Sequence, residues 1–141
     1  MEEVSRQNIS PESPLKSPSL KSPPLKSPHW QKGWDAETVA ITHFQQQGYT
    51  LLAHRLKTPF GEIDVLVETG GVLVVVEVKA RKTMTIGLEA ISLKQQQRLA
   101  DAVSWFVAGH PEYNSHMIRF DCMVVMPNKQ LMHVENAWGV D

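Results

Sequence analysis

Cysteine is nearly absent from this chain. The single Cys122 among 141 residues excludes an internal disulfide. Its place in a strand-like run marks it as a small buried apolar residue, and such usage fits a reducing compartment. Neither sign of charge dominates, with 14 Lys+Arg against 15 Asp+Glu and a net of −1. With 42% hydrophobic and only 7% aromatic residues, a soluble globular class is expected. No window approaches the ~18 apolar residues of a membrane helix. Met1-Glu2-Glu3 opens without an apolar stretch, so no secretory signal is expected. These absences point to the cytoplasm and to no membrane partner. The six histidines show no zinc-like spacing with cysteine.

Proline and serine are concentrated at one end. Leu15-Lys16-Ser17-Pro18, Leu20-Lys21-Ser22-Pro23 and Leu25-Lys26-Ser27-Pro28 repeat with a period of five. Proline removes backbone donors and restricts its predecessor, so residues 1–29 read as a disordered tail. Its lysines are candidates for a weak nucleic-acid contact. Residues 30–141 form one domain. Trp34 to Gln47 reads as a helix with Asp35 near its N-cap and an apolar stripe of Ala36, Val39, Ala40 and Phe44. Tyr49 to Lys57 reads as a strand, and 61–69 and 72–81 as two more. Lys82 to Gly87 reads as a loop and Ser92 to about Ala108 as a helix. Met117 to Met126 and Leu131 to Ala137 complete the set as strands. The order is α-β-β-β-α-β-β. The strand-helix-strand crossover makes the third and fourth strands parallel, which predicts an α/β fold with a mixed sheet of four to five strands flanked by helices.

Gly70-Gly71 between two β-prone runs is a strong two-residue hairpin signal. It fixes the register, pairing Thr69 with Val72, Asp64 with Glu77 and Glu62 with Lys79. One face becomes an unbroken apolar set of Ile63, Val65, Val67, Val72, Val74, Val76 and Val78. The other face is apolar near the turn and charged away from it. A helix over its apolar end would leave the charged end as a cleft. Opposed carboxylates about 4.5–5.5 Å apart at Cβ repel unless a cation sits between them. A divalent ion is the natural candidate. Mg²⁺, or Mn²⁺ in its place, takes hard oxygen ligands and keeps several waters. Asp64, Glu77 and the backbone carbonyl of Val78 are the expected ligands. Lys79 leaves the strand on the same face and can serve the attacking water or the charge on a phosphate. Glu37 can reach the same site if the first helix packs over that face. The competing structural reading makes Glu62–Lys79 an ordinary ion pair and leaves Asp64 and Glu77 solvated.

Arg81, Lys82, Lys94 and Arg98 are candidates for backbone phosphate, and each also reads as surface charge. Arg119 and Asp121 share a strand face and read as a structural ion pair. His43 and His54 have no evident partner. Trp105, Phe106 and Trp138 read as core, and Gln95-Gln96-Gln97 as helix surface. Residues 30–141 carry 10 Lys+Arg and 12 Asp+Glu, a net of −2. Duplex affinity is therefore expected to be modest and salt-sensitive.

Asp64 followed by Glu77-Val78-Lys79 resembles the D…ExK signature of the PD-(D/E)xK nuclease superfamily. Over residues 33–138 the chain resembles the YraN-like family of bacterial proteins. The resemblance is carried by Gly33-Trp34-Asp35-Ala36-Glu37, Ala40, Gly48-Tyr49, Gly61-Glu62-Ile63-Asp64, Val76-Glu77-Val78-Lys79-Ala80-Arg81, Lys94 and Arg119-Phe120-Asp121. It implies a restriction-endonuclease-like core that cleaves DNA phosphodiesters with Mg²⁺ or Mn²⁺. It also implies that Glu37, Asp64, Glu77 and Lys79 correspond to a helix carboxylate, two metal ligands and a catalytic lysine. Two positions depart from the family pattern, which has asparagine where this chain has Arg55 and arginine where it has Lys57. Both are cations that suit a phosphate. The partner expected is nucleic acid, DNA above all, and a homodimer would suit cutting of two strands. The alternative from another class is a nucleic-acid-binding accessory protein that keeps the fold without turnover.

Overall fold

Both faces of one valine-rich hairpin are covered by helices, and this sets the architecture. The structure, a computed structural model, describes residues 28–82 and 91–138. The Lys-Ser-Pro repeats up to Ser27, and residues 83–87 of the expected loop, lie outside the described residues. The elements are α1 (Pro28–Gln46), β1 (Thr50–Thr58), β2 (Gly61–Thr69), β3 (Val72–Ala80), α2 (Leu93–Ala108), β4 (Met117–Val125) and β5 (Leu131–Val134), with a short 3₁₀ turn at Pro111–Tyr113. The expected order α-β-β-β-α-β-β is the observed one. Helix α1 begins six residues before the expected Trp34, so Asp35 lies inside it rather than at its cap. A proline, with its pre-set φ, suits a first helical position. Strand β5 ends at Val134, before the expected Ala137, because Asn136 turns the chain at φ 52°.

The five strands lie in the order β1-β2-β3-β4-β5. Neighbours are antiparallel except β3 and β4, which pair in parallel across the α2 crossover. At the diglycine turn Gly70 and Gly71 hold φ of 50° and 81°, the positive pair that a tight hairpin loop demands. The register follows as predicted, from Thr69 opposite Val72 to Val65 opposite Val76. Helix α1 packs Ala36, Ala40 and Phe44 onto Val65, Val67, Val74, Val76, Met123 and Val125. Helix α2 packs Leu99, Ala102, Val103 and Phe106 onto Leu66, Leu73, Val75 and Phe120. Ser92 caps α2, its hydroxyl accepting from the Gln95 N–H at 3.1 Å. The predicted core tryptophan Trp105 stands 44% exposed on α2. Phe106 takes the inward position, and Trp138 stacks on Phe120 at 5.4 Å.

One buried carboxylate ties the α1 side together. Asp121 is fully buried. Its Oδ1 accepts from Arg119 Nε and the Asn136 N–H, both at 2.9 Å. Its Oδ2 accepts from Arg119 Nη2 at 2.8 Å and from His133 Nε2 at 2.7 Å. Arg119 also donates to the Tyr49 hydroxyl at 2.9 Å, and Phe44 of α1 packs edge-on against Tyr49 and His133. The predicted structural role of Arg119–Asp121 is what the geometry serves. Burial alone would raise the Asp121 carboxyl, but the bonds from His133 and Arg119 outweigh it and hold it below the ordinary 3.8. Such a lowered carboxyl contributes stability that is present above its unfolded value and lost as pH falls through the folded one. Asp121→Ala takes the carboxylate from Arg119 Nε, His133 Nε2 and the Asn136 N–H, leaving Arg119 its bond to Tyr49, and is expected to cost about 3 kcal/mol. The urea midpoint at pH 7 measures it, and a loss below ~1 kcal/mol would show that these pairs add little.

Candidate active site

Besides the bulge between Leu51 and Ala53 on β1, regular alternation along β1 and β2 also breaks where Arg55 faces Asp64. The β1–β2 ladder runs from His54 opposite Val65 to Leu56 opposite Ile63, stepping over Arg55 and Asp64. Arg55 holds φ at 57°, the left-handed region that a non-glycine residue enters at a cost. The turn it makes shifts the facing pattern by one. His54 and Arg55 both reach Glu37 on α1, whereas Leu56 and Ile63 pack with the α2 cluster. Ile63 therefore does not share the face of Val65 and Val67, as strict alternation predicts. It joins Leu66 and Val75 on the opposite side. The asparagine implied here by the family resemblance is a residue type that adopts this φ more easily than arginine.

The β2–β3 ladder also stops at Val65 opposite Val76. The next backbone donor, the Val78 N–H, is taken at 2.9 Å by Asp64 Oδ2 instead of by a strand carbonyl. Asp64 and Glu77 are neighbours as the register predicts, and Glu77 is buried to 7% exposure. The expected Glu62–Lys79 pair is not formed. Lys79 Nζ sits 3.0 Å from Glu77 Oε2, and Glu62 faces the exposed Lys57 at 3.7 Å. Loss of the regular ladder beyond Val65 lets Lys79 turn to its own strand neighbour two positions away. Burial, then the Glu77 charge, pushes the Asp64 carboxyl up from 3.8 to about 7, against the pull of the Val78 N–H. The more distant Glu37 and Glu62 charges add to the rise.

A cavity of about 640 Å³ opens at this end of the hairpin. Asp64 and Glu77 form one wall, α2 supplies Gln95, Arg98 and Leu99, and the β1–β2 tip supplies Thr58 through Glu62. This is the cleft expected beside the apolar end that α2 covers. Of the cations predicted to meet nucleic acid, Arg98 lines this cavity. Arg55 is engaged by Glu37 at 2.8 Å. Lys57 pairs loosely with Glu62, Arg81 donates to its neighbour's Ala80 carbonyl, and Lys82 and Lys94 are exposed. Glu37 approaches from the α1 side and is not among the cavity walls. It accepts from His54 at 2.7 Å and from Arg55. Burial would raise its carboxyl, but these two bonds outweigh burial and lower it. His54 thus has a partner that sequence reading did not find, since the two residues lie 17 positions apart. His43 likewise meets Gln47 one helical turn on. Gln95 and Phe60 were also not legible as site residues. The Pro59-Phe60-Gly61 run signals only a turn.

The pattern of the uncharacterised protein family UPF0102 matches residues 36–125. The chain belongs to this family. A UPF0102 protein of Chelativorans sp. (strain BNC1) is 38% identical over 110 residues, covering 78% of this chain and 89% of the relative. One from Rhodopseudomonas palustris (strain BisB5) is 38% identical over 124 residues, covering 87% and 94%. The YraN-like resemblance read from the sequence is thereby established at family level. The family match spans the cavity's charged lining, Glu62, Asp64, Glu77 and Arg98, and also Glu37 and Lys79, which lie outside that lining.

The donor set of the UPF0102 cavity is hard: carboxylate oxygens, one of them already committed to Val78. Among the described residues no group of three or more His, Cys, Asp and Glu closes into a metal cage. Two carboxylates suffice for Mg²⁺, which completes its shell with water and phosphate. The raised Asp64 carboxyl is the second observation that fits, because a cation beside it would relieve the repulsion. Burial of Asp64 and the Glu77 charge beside it are borne as lost stability. Since the folded value lies above the unfolded one, stability falls as pH rises from 3.8 to about 7. Asp64→Asn is expected to stabilise the protein in EDTA at pH 8 by on the order of 2 kcal/mol and to change little at pH 4. Thermal and urea unfolding at the two pH values read this. Equal effects at both would show that Asp64 is not held in its neutral form.

Proposed function

We propose that this protein is a metal-dependent nuclease of the PD-(D/E)xK type that hydrolyses DNA phosphodiester bonds. The observation that carries the reading is the pair of partly buried Asp64 and buried Glu77 on the wall of an open cavity, with Lys79 3.0 Å from Glu77. A pair of like charges in a valine-rich hairpin is a stability cost, and perturbed carboxylates in a cleft mark functional sites. Asp64 and Glu77, with the Val78 carbonyl, would hold Mg²⁺ or Mn²⁺. Bound there, the ion would supply Lewis acidity toward a phosphate oxygen and ease deprotonation of water.

The chain's own residues divide the remaining work. The Val78 N–H fixes the Asp64 carboxylate through Oδ2, and Asp64 lines the cavity. Lys79, partly buried, keeps its ammonium 3.0 Å from Glu77 Oε2 and would serve the attacking water or the phosphorane charge from beside the metal ligands. Arg98 on α2 offers a second cation to the backbone. Glu37, tied to His54 and Arg55, lies close enough to raise the Asp64 carboxyl, so it acts on the ligand set from behind. The activity belongs in a cytoplasm that holds DNA and keeps Cys122 reduced.

Mn²⁺-dependent cleavage of single-stranded, duplex, flap and four-way DNA by the full chain tests the reading. Cutting is expected on at least one substrate, lost on chelation and reduced at least a hundredfold by Lys79→Ala. Calorimetry with Mn²⁺ is expected to show one site in the wild type and none in Asp64→Asn. Affinity should weaken as pH drops below about 7, because a proton competes for Asp64. Cutting that survives Lys79→Ala would mean that another site or a contaminant is responsible. Binding without cutting on every substrate would favour the accessory-protein reading, which the net charge of −2 over residues 30–141 also suits.

A further inference from the structure

We propose that Phe60 is a stacking platform for an unpaired nucleobase beside the phosphate at Asp64 and Glu77. The preferred substrate would then be a strand with free bases, such as a single strand or a flap, rather than continuous duplex. This rests on the nuclease reading and adds the substrate class to it. Phe60 is 45% exposed while the domain's other phenylalanines, Phe44, Phe106 and Phe120, are buried. It stands at the β1–β2 tip and lines the same cavity as the two carboxylates.

The backbone of the tip is fixed around the residue that carries the ring. The Phe60 N–H donates to Thr58 Oγ1 at 3.0 Å, and that hydroxyl donates to the Gly61 carbonyl at 2.7 Å. Pro59 restricts φ on one side of the ring. On the other, Gly61 turns at φ 137°, a conformation open essentially to glycine. A pre-ordered loop loses less entropy when a base stacks on the aromatic ring it carries.

Across the cavity, Arg98 passes Gly61, its Cδ 3.7 Å from where a β-carbon would lie. Its guanidinium is held by the neutral Gln95 Oε1 at 2.8 Å, and among the described residues no carboxylate pairs with it. The cavity therefore sets three features side by side: a carboxylate wall, an unneutralised cation and a free aromatic plane. A nucleotide supplies the matching phosphate and base. A purely apolar ligand would leave Arg98 and the carboxylates without a role. Stacking needs a base whose face is free, and inside a duplex both faces are already covered by neighbouring bases.

Fluorescence anisotropy with the full chain in Ca²⁺, using labelled single-stranded, flap and blunt duplex DNA, tests this. Wild type is expected to bind single strands or flaps at least tenfold more tightly than duplex. Phe60→Ala should weaken that binding about tenfold and change duplex binding less than twofold. Phe60→Trp should retain it, which separates stacking from damage to the turn. Single-strand affinity within twofold of wild type in Phe60→Ala would overturn the proposal. So would a Phe60-dependent dimer in sedimentation, which would assign the ring to a second copy of the chain. If Lys79-dependent cutting persists while Phe60→Ala binds normally, the stacking role fails and the nuclease reading stands. If wild type neither binds nor cuts any substrate, both fall.

Discussion

The N–H of Val78 is bonded by a side chain where a strand carbonyl would ordinarily serve, and the geometry of the cavity end depends on that exchange. Buried amides must find an acceptor. When the β2–β3 ladder stops at Val65 opposite Val76, Asp64 Oδ2 becomes that acceptor at 2.9 Å. The carboxylate is thereby fixed to the strand that carries Glu77 and Lys79. It can neither swing into solvent nor move away from Glu77 without leaving an amide unsatisfied. The same bond accounts for a repelling pair surviving at the end of a hydrophobic hairpin.

Backbone strain next to this bond supports it. Arg55 in a left-handed conformation lets β1 release Asp64 and changes the side on which the following residues pack. Glu37 helps to hold Arg55 there, with His54 as the second donor. The α1 side and the cavity side are thus coupled through one strained residue. Placing Glu37 behind Asp64, rather than in the cavity, follows from α1 covering the face opposite to α2.

Much of this was legible because hairpin geometry is local. A Gly-Gly loop admits few registers, and alternating valines report both faces, so the neighbourhood of Asp64 with Glu77 and the parallel crossover to β4 follow from spacing. Ile63, Lys79 and Trp105 resisted that reading for separate reasons. Ile63 changes sides because of a single φ at Arg55, and no periodicity records it. Lys79 has two carboxylates within reach, Glu62 across the ladder and Glu77 along the strand, and which one it meets depends on where the ladder ends. Trp105 adjoins Phe106 on one helix, and packing against β2 and β3 has room for only one of the two rings.

The sequence alone determined the element order, the strand register and the family, because turn chemistry and side-chain periodicity act between residues close in the chain. Tertiary structure decided what surrounds the charged end: Arg98, Gln95 and Phe60 gathered around one cavity, Glu37 clamped by His54 and Arg55, and Asp121 buried among Arg119 of β4, His133 of β5 and the Asn136 N–H. Those contacts join residues from separate elements. Their distances are set by how helices and sheet pack, a constraint that no local pattern of residues records.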